Sequence, residues 1–175
     1  METPRRKNSR GVVLSGMHPN AALLTRFYDA FARRDGDAMA SCYHPEVHFE
    51  DEVFDLQGPR AGAMWKMLCD AGKDLSVTSS DITADDSTGS ARWVATYTFS
   101  QTGRTVRNEI EAAFTFEDGL IRTHRDRFDF WPWSRQALGL PGLLLGWSPF
   151  LRGKVRERAA LQLDRYIERH PGALG

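Results

Sequence analysis

The sequence predicts an α+β fold in which three helices precede a meander of long antiparallel strands and one more helix closes the chain. Three observations predict it. Apolar residues recur at spacings of three and four in the first segment. Four later runs alternate apolar and polar residues, and tight-turn residues separate those runs. At 175 residues the chain is long enough to bury a core without a metal or disulfide staple.

Residues 1–19 read as a tail, with Arg5, Arg6, Lys7 and Arg10 set among Pro, Asn and Ser. Too short an apolar run follows for a secretory signal, so a cytoplasmic protein is expected, and Met17 is a candidate start. From Asn20, the expected N-cap, Leu23, Leu24, Phe27, Ala30 and Phe31 share one helical face. Asp35-Gly36-Asp37 turns the chain into a short helix over Ala38 to Tyr43, which His44-Pro45 stops. Val47 to Phe54 alternates as a strand, with Val47, Phe49, Asp51 and Val53 on one side. Gly58-Pro59 opens a third helix with Ala61, Met64, Trp65, Leu68 and Cys69 as its buried stripe.

The strand runs are Leu75 to Thr83, Arg92 to Ser100, Thr105 to Glu117 and Leu120 to Phe130, with Asp118-Gly119 as a hairpin signal. Their phases agree. Trp93, Ala95, Tyr97 and Phe99 share a face, as do Val106, Asn108, Ile110, Ala112, Phe114 and Phe116, and His124, Asp126, Phe128 and Phe130. The opposite faces are largely charged or polar. Trp131 to Trp147 reads as an irregular aromatic linker. Ser148-Pro149 then starts a helix whose apolar stripe is Leu151, Val155, Ala159, Leu163, Tyr166 and Ile167.

Composition excludes several classes. Lys plus Arg and Asp plus Glu are both 23, so the basic excess that nucleic acid demands is missing. No apolar run is long enough to span a bilayer, so no membrane partner is expected. Cys42 and Cys69 stand alone among apolar neighbours, which predicts two buried free thiols and no zinc site. Glycine-rich nucleotide loops and the Gly-x-Ser-x-Gly elbow are missing too.

The order of elements, and the segments RFYDAFARRDGDAMASCYHPEVHFED and FTFEDGLIRTHRDRFD, resemble the nuclear transport factor 2-like, or SnoaL-like, superfamily over about residues 20–131. The resemblance implies a nuclear transport factor 2-like cone: three N-terminal helices packed on a curved antiparallel sheet around a deep apolar pocket. Residues 132–175 would then be an extension, its helix packing on the domain or a dimer partner, and homodimerisation is implied.

Three relatives within the superfamily supply candidate catalytic residues. Asp51 falls where ketosteroid isomerases carry their proton-shuttling base, although that family's oxyanion donors fall on Phe27 and Ala112. Asp126, in His124-Arg125-Asp126-Arg127-Phe128-Asp129, matches one carboxylate of limonene-epoxide hydrolases, while their other triad positions fall on Trp93 and Ala95. SnoaL-like polyketide cyclases pair a last-strand Asp with a His, a pattern His124 and Asp126 fit as next-but-one neighbours on one strand face.

The expected catalytic set is therefore Asp51, Asp126 and His124, doing general acid/base chemistry. Tyr28, Phe27, Phe49, Trp65, Trp93, Tyr97, Asn108 and Phe128 would bind a small hydrophobic cyclic substrate. The reaction would be of lyase, isomerase or cyclase type, with epoxide hydrolysis a lesser option, and no metal or cofactor is expected. A non-catalytic ligand-binding or assembly protein is the other reading. Carboxylates that open on a shared cavity favour the enzyme, and carboxylates consumed by backbone or arginine favour the binder.

Overall fold

The computed structural model describes residues 16–175; the basic cluster of the expected tail lies outside them. Helix α1 spans Pro19–Ala32 and buries Leu23, Leu24, Phe27, Tyr28, Ala30 and Phe31. Its N-cap is His18, not Asn20: the His18 imidazole accepts from the Asn20 N–H at 3.1 Å. Asn20 is buried and instead donates its side-chain amide to the Asp85 carbonyl at 2.9 Å, fastening the helix start to a strand turn. Helix α2 is Gly36–Ala40, capped by Asp35.

The run expected as one strand over 47–54 is two. β1 covers Tyr43–Glu50 and β2 covers Asp55–Gln57, paired antiparallel. Asp51 makes the break. Its carboxylate captures the N–H groups of Val53 and Phe54, forming a local turn that outcompetes a continuing ladder. Helix α3, Pro59–Ala71, follows with Ala61, Met64, Trp65 and Cys69 buried.

The meander is β3 Ser76–Ala84, β4 Thr88–Phe99, β5 Arg104–Glu117 and β6 Leu120–Arg127. Asp118 and Gly119 both have positive φ, as a two-residue hairpin turn requires. The six-stranded sheet runs β2-β1-β6-β5-β4-β3. It is mixed rather than wholly antiparallel, because β1 lies parallel to β6. The α3 crossover carries the chain from one sheet edge to the other, and the meander returns to meet β1 from the far side. The apolar sheet face and α1 to α3 enclose the main core, into which both free thiols, Cys42 and Cys69, are buried.

Most of residues 131–147 fall in two short helices, contrary to the irregular linker expected. Asp129 caps α4, Phe130–Leu138, and α5 is Leu140–Leu145. Pro132 is tolerated because it falls in the first turn, and Gly139 at φ +70 separates the two helices. Phe130, Trp133 and Ala137 sit at helical spacing and form a second small core with Val106, against Tyr97, Phe99 and Phe128. Helix α6, Pro149–Arg169, begins at the Ser148 cap as expected and buries Leu163 and Tyr166. Tyr166 donates to Asp70 of α3 at 2.5 Å and Arg60 pairs with Asp164 at 2.7 Å, tying α6 to α3. A 3-10 turn, Pro171–Leu174, ends the chain.

The α2–α3 contact is close enough to test. A Cβ on Gly36 would lie 2.6 Å from the Lys66 Cα, a backbone atom that cannot swing away. Gly36→Ala is expected to lower unfolding stability by about 2 kcal/mol, in the overpacking range. Urea denaturation with no shift in midpoint would contradict that packing.

Candidate functional site

β6 brings His124 and Asp126 to the apolar face, one position apart in its two-residue period. In the cross-strand register His124 stands between Phe49 of β1 and Phe114 of β5, while Asp126 faces Ala112. Ala112 in turn faces Ala91 of β4. These short side chains leave room for the Trp93 indole to reach across and donate to Asp126 Oδ1 at 3.3 Å. His124 Nε2 lies 2.9 Å from the same oxygen.

Tyr43 completes the line. Its hydroxyl is 2.8 Å from His124 Nδ1 and accepts from the Trp65 Nε1–H at 2.6 Å. With Asp126 ionised, one assignment of donors gives every bond in the line both a donor and an acceptor. Indoles only donate, so Trp65 gives its proton to the Tyr43 oxygen. Tyr43 then gives its own to His124 Nδ1, and His124 carries a proton on Nε2 that it gives to Asp126. The line Trp65–Tyr43–His124–Asp126–Trp93 has a donor and an acceptor at every step.

The surroundings are aromatic. Ring centroids of Phe114, Phe49, Phe27 and Trp65 lie 4.4, 5.0, 5.5 and 5.9 Å from the imidazole. His124 and Asp126 are 1% and 2% exposed. Two polar atoms stay outside the network. Among the described residues, Asp126 Oδ2 accepts no hydrogen bond and the buried Tyr28 hydroxyl has no partner. Burial, with the charge of Asp126 adding to it, holds the Tyr28 and Tyr43 hydroxyls well above the usual phenol value. Both therefore stay protonated.

The remaining predicted residues divide. Phe27, Phe49, Trp65 and Trp93 form the walls around His124 and Asp126. Asn108 is half-buried on the inward face of β5, opposite Ala95. Tyr97 and Phe128 are half-buried farther along, against α4; the Trp133 indole donates to the Tyr97 hydroxyl at 2.9 Å.

Asp51 is not on a strand face, as expected, but in the turn after β1. Its Oδ1 accepts from Val53 N at 2.7 Å and Phe54 N at 2.6 Å. Burial pushes this carboxyl up to about 7 against those two bonds, with repulsion from Asp126 and Glu52 contributing. A small cavity of about 130 Å³ touches Asp51, Phe54 and Arg156 of α6. Arg156 Nε donates to the Glu52 carbonyl at 2.8 Å, and on the same helix Arg152 pairs with the Glu52 carboxylate at 3.1 Å.

Tyr43 is the site residue that sequence reading missed. His44-Pro45 suggested a helix end, yet Tyr43 shares the odd-numbered phase of Val47 and Phe49, which was the available signal. A second cleft, about 750 Å³, lies between α2, α3 and the C-terminal turn. It is polar, with Arg33, Asp35, Asp37, Lys66 and Asp70 among its lining. His44, Glu117 and Asp118 bring possible metal-ligand atoms within 4.8 Å of one another at the surface, but Arg122 holds Glu117 at 2.9 Å.

A curved sheet wrapped on three helices, with a His–Asp pair inside, defines an α+β domain of the nuclear transport factor 2-like type. The chain belongs to the SnoaL-like domain family, whose model matches residues 24–124. Solved structures agree on the fold. A candidate polyketide cyclase from Xanthomonas campestris pv. campestris superposes with a TM-score of 0.58 at 23% identity, over 68% of this chain and 96% of its own. TerC, co-crystallised with polyporic acid, gives 0.59 at 17% identity, over 69% and 99%. An epoxide hydrolase from M. tuberculosis resembling limonene-epoxide hydrolase gives 0.55 at 19%, over 73% and 96%. No curated protein matches the chain by sequence.

The pH response of the fold tests the Asp51 geometry. The folded chain holds the Asp51 proton more tightly than the unfolded chain, whose value is near 4. The stability this proton confers is complete below about 4 and is lost as pH rises through 7. Asp51→Asn preserves an acceptor for both N–H groups and removes the titration. Relative to wild type, the variant is expected to gain stability from pH 4 to pH 7, by at most about 1.4 kcal/mol per pH unit. Parallel stability curves for the two proteins would show that Asp51 is an ordinary solvated carboxylate.

Proposed function

We propose that this protein is an enzyme that moves a proton on a small hydrophobic cyclic molecule, in a cyclisation, isomerisation or elimination, with Asp126 as the base. The observation that carries the reading is the buried Tyr43–His124–Asp126 line, which leaves one carboxylate oxygen and one buried hydroxyl unpartnered. Asp126 Oδ2 takes a proton from an activated C–H. The electron pair moves onto the adjacent carbonyl, and the Tyr28 O–H donates to the oxygen that gains charge. His124 holds the carboxylate through Oδ1 and, through Tyr43, is itself held in one tautomer. The aromatic walls exclude water and match a flat ring. The chemistry needs no cofactor or metal.

The relatives support this reading by analogy: one is a candidate polyketide cyclase, one is an epoxide hydrolase, and one was crystallised with polyporic acid. In this reading the 20–131 domain carries the reaction, the 132–175 extension covers it, and the working unit is a homodimer in the cytoplasm.

A second reading, a ligand-binding or assembly role, draws on a different observation. The Asp51 carboxylate is occupied by backbone N–H groups, and His124 and Asp126 are closed off by side chains. A substrate must therefore displace aromatic side chains to reach them.

Deuterium uptake from D2O at the acidic C–H of fused-ring 1,3-dicarbonyl compounds, followed by NMR, separates the two. Wild-type protein is expected to accelerate uptake. Asp126→Asn, near-isosteric, should slow it by ~100-fold or more and Tyr28→Phe by about 100-fold, each with an unchanged circular dichroism spectrum. Uptake as fast in Asp126→Asn as in wild type would remove Asp126 as the base. Binding of polyporic acid or the dicarbonyls without any uptake would favour the second reading.

A further inference from the structure

We infer that the α4–α6 extension carries a docking surface for an anionic lipid bilayer. α5, the turn after it and the first turn of α6 expose Leu140, Leu143, Leu144, Leu145, Trp147 and Phe150 in one continuous stretch of chain. Trp147 is 73% exposed and Phe150 68%. These are values for large rings left without a partner, not for scattered surface apolar residues. The Trp147 indole N–H already donates to the Leu144 carbonyl at 2.9 Å, so the ring offers a surface with its polar handle satisfied. Such a ring can enter the headgroup–acyl boundary without losing a hydrogen bond.

The charges along this stretch are mostly basic. From Phe130 to Arg158 the chain carries Arg135, Arg152, Lys154, Arg156 and Arg158 against Glu157 as the only acid. Arg152 and Arg156 are engaged with Glu52. Arg135 stacks over Trp131 at 5.1 Å and Lys154 over Phe150 at 5.9 Å, with Glu157 3.6 Å from Lys154. Arg158 has no ion pair among the described residues. Phe150, Lys154, Arg158 and Leu161 recur at four, eight and eleven residues, so they share one outward face of α6. Apolar rings flanked by lysine and arginine match a membrane interface whose headgroups are negative.

A second copy of the chain fits this patch less well. A two-fold contact centred here would bring Arg135, Lys154 and Arg158 of both copies into one interface, with Glu157 the one acid in this stretch to offset them. The expectation of no membrane partner rested on the lack of a spanning segment, and no described helix is long and apolar enough to cross. Lying on a surface requires none. The family match ends at residue 124, so the patch belongs to what this chain adds to the shared domain.

Co-sedimentation of the full chain with vesicles of phosphatidylcholine alone, or with 30% phosphatidylglycerol, tests the inference alongside light scattering of the free protein. Because the residues changed are exposed, the fold is expected to survive. Wild type should sediment with the anionic vesicles, less so with neutral ones, and less as salt rises. The pair Trp147→Ser with Phe150→Ser, and separately Lys154→Glu with Arg158→Glu, should each weaken partitioning about tenfold or more. No association with anionic vesicles, or association unchanged in both variants, overturns the proposal. So does a dimer that Trp147→Ser with Phe150→Ser converts to monomer, which would make the patch a subunit interface.

Discussion

A carboxylate and an imidazole inside an aromatic core are costly unless every proton and lone pair near them is matched, and this demand organises the SnoaL-like domain. The partners come from different elements: Trp65 from α3, Tyr43 from β1, His124 and Asp126 from β6, and Trp93 from β4. The network holds only if β1 lies parallel against β6, if β5 presents small Ala112 at the Asp126 row, and if α3 crosses at the height of Tyr43. Removing one member leaves another buried group without its bond, at a cost of about 1–3 kcal/mol. The polar line therefore specifies the register of the sheet as well as the chemistry that can occur there.

The same arrangement explains why the two acidic candidates differ. Asp126 is held through one oxygen, and the other is left uncommitted. Asp51 lies in a turn of its own making, with backbone N–H groups on its carboxylate, and burial keeps its proton on to about pH 7. Around this domain the extension does two different things. Its inward residues, Trp133, Phe130, Leu163 and Tyr166, close over the sheet and α3, and its outward residues leave an apolar and basic face to the surroundings.

Much of this could be read from the chain alone. Strand phase placed His124 and Asp126 side by side and inward, and placed Phe49, Trp93 and Phe114 around them, because period-two alternation on a half-buried strand is a direct record of facing. Tyr43 escaped because its phase signal is interrupted by Pro45, and Pro45 also looks like a helix stop. Asp51 was read as inward because alternation cannot register a turn that a side chain itself creates. The helices after Asp129 were hidden by Pro132 and Gly139. Their apolar residues at 130, 133 and 137 fall at helical spacing, but the Trp-Pro-Trp step and the Gly/Pro/Leu-rich run after it look irregular. The convergence of Tyr43, His124 and Asp126, and the buried Tyr28 hydroxyl beside them, depend on three-dimensional placement that no spacing encodes.

The direction of the hydrogen bonds through His124 decides whether Asp126 is held as described, and a nitrogen-15 spectrum of histidine-labelled protein reads that direction. The expected result is a proton on His124 Nε2 and an unprotonated Nδ1 accepting from Tyr43. A proton on Nδ1, with Nε2 bare, would reverse the Tyr43–His124 bond and leave Asp126 Oδ1 with the Trp93 indole as its one donor in the line, which would contradict that arrangement.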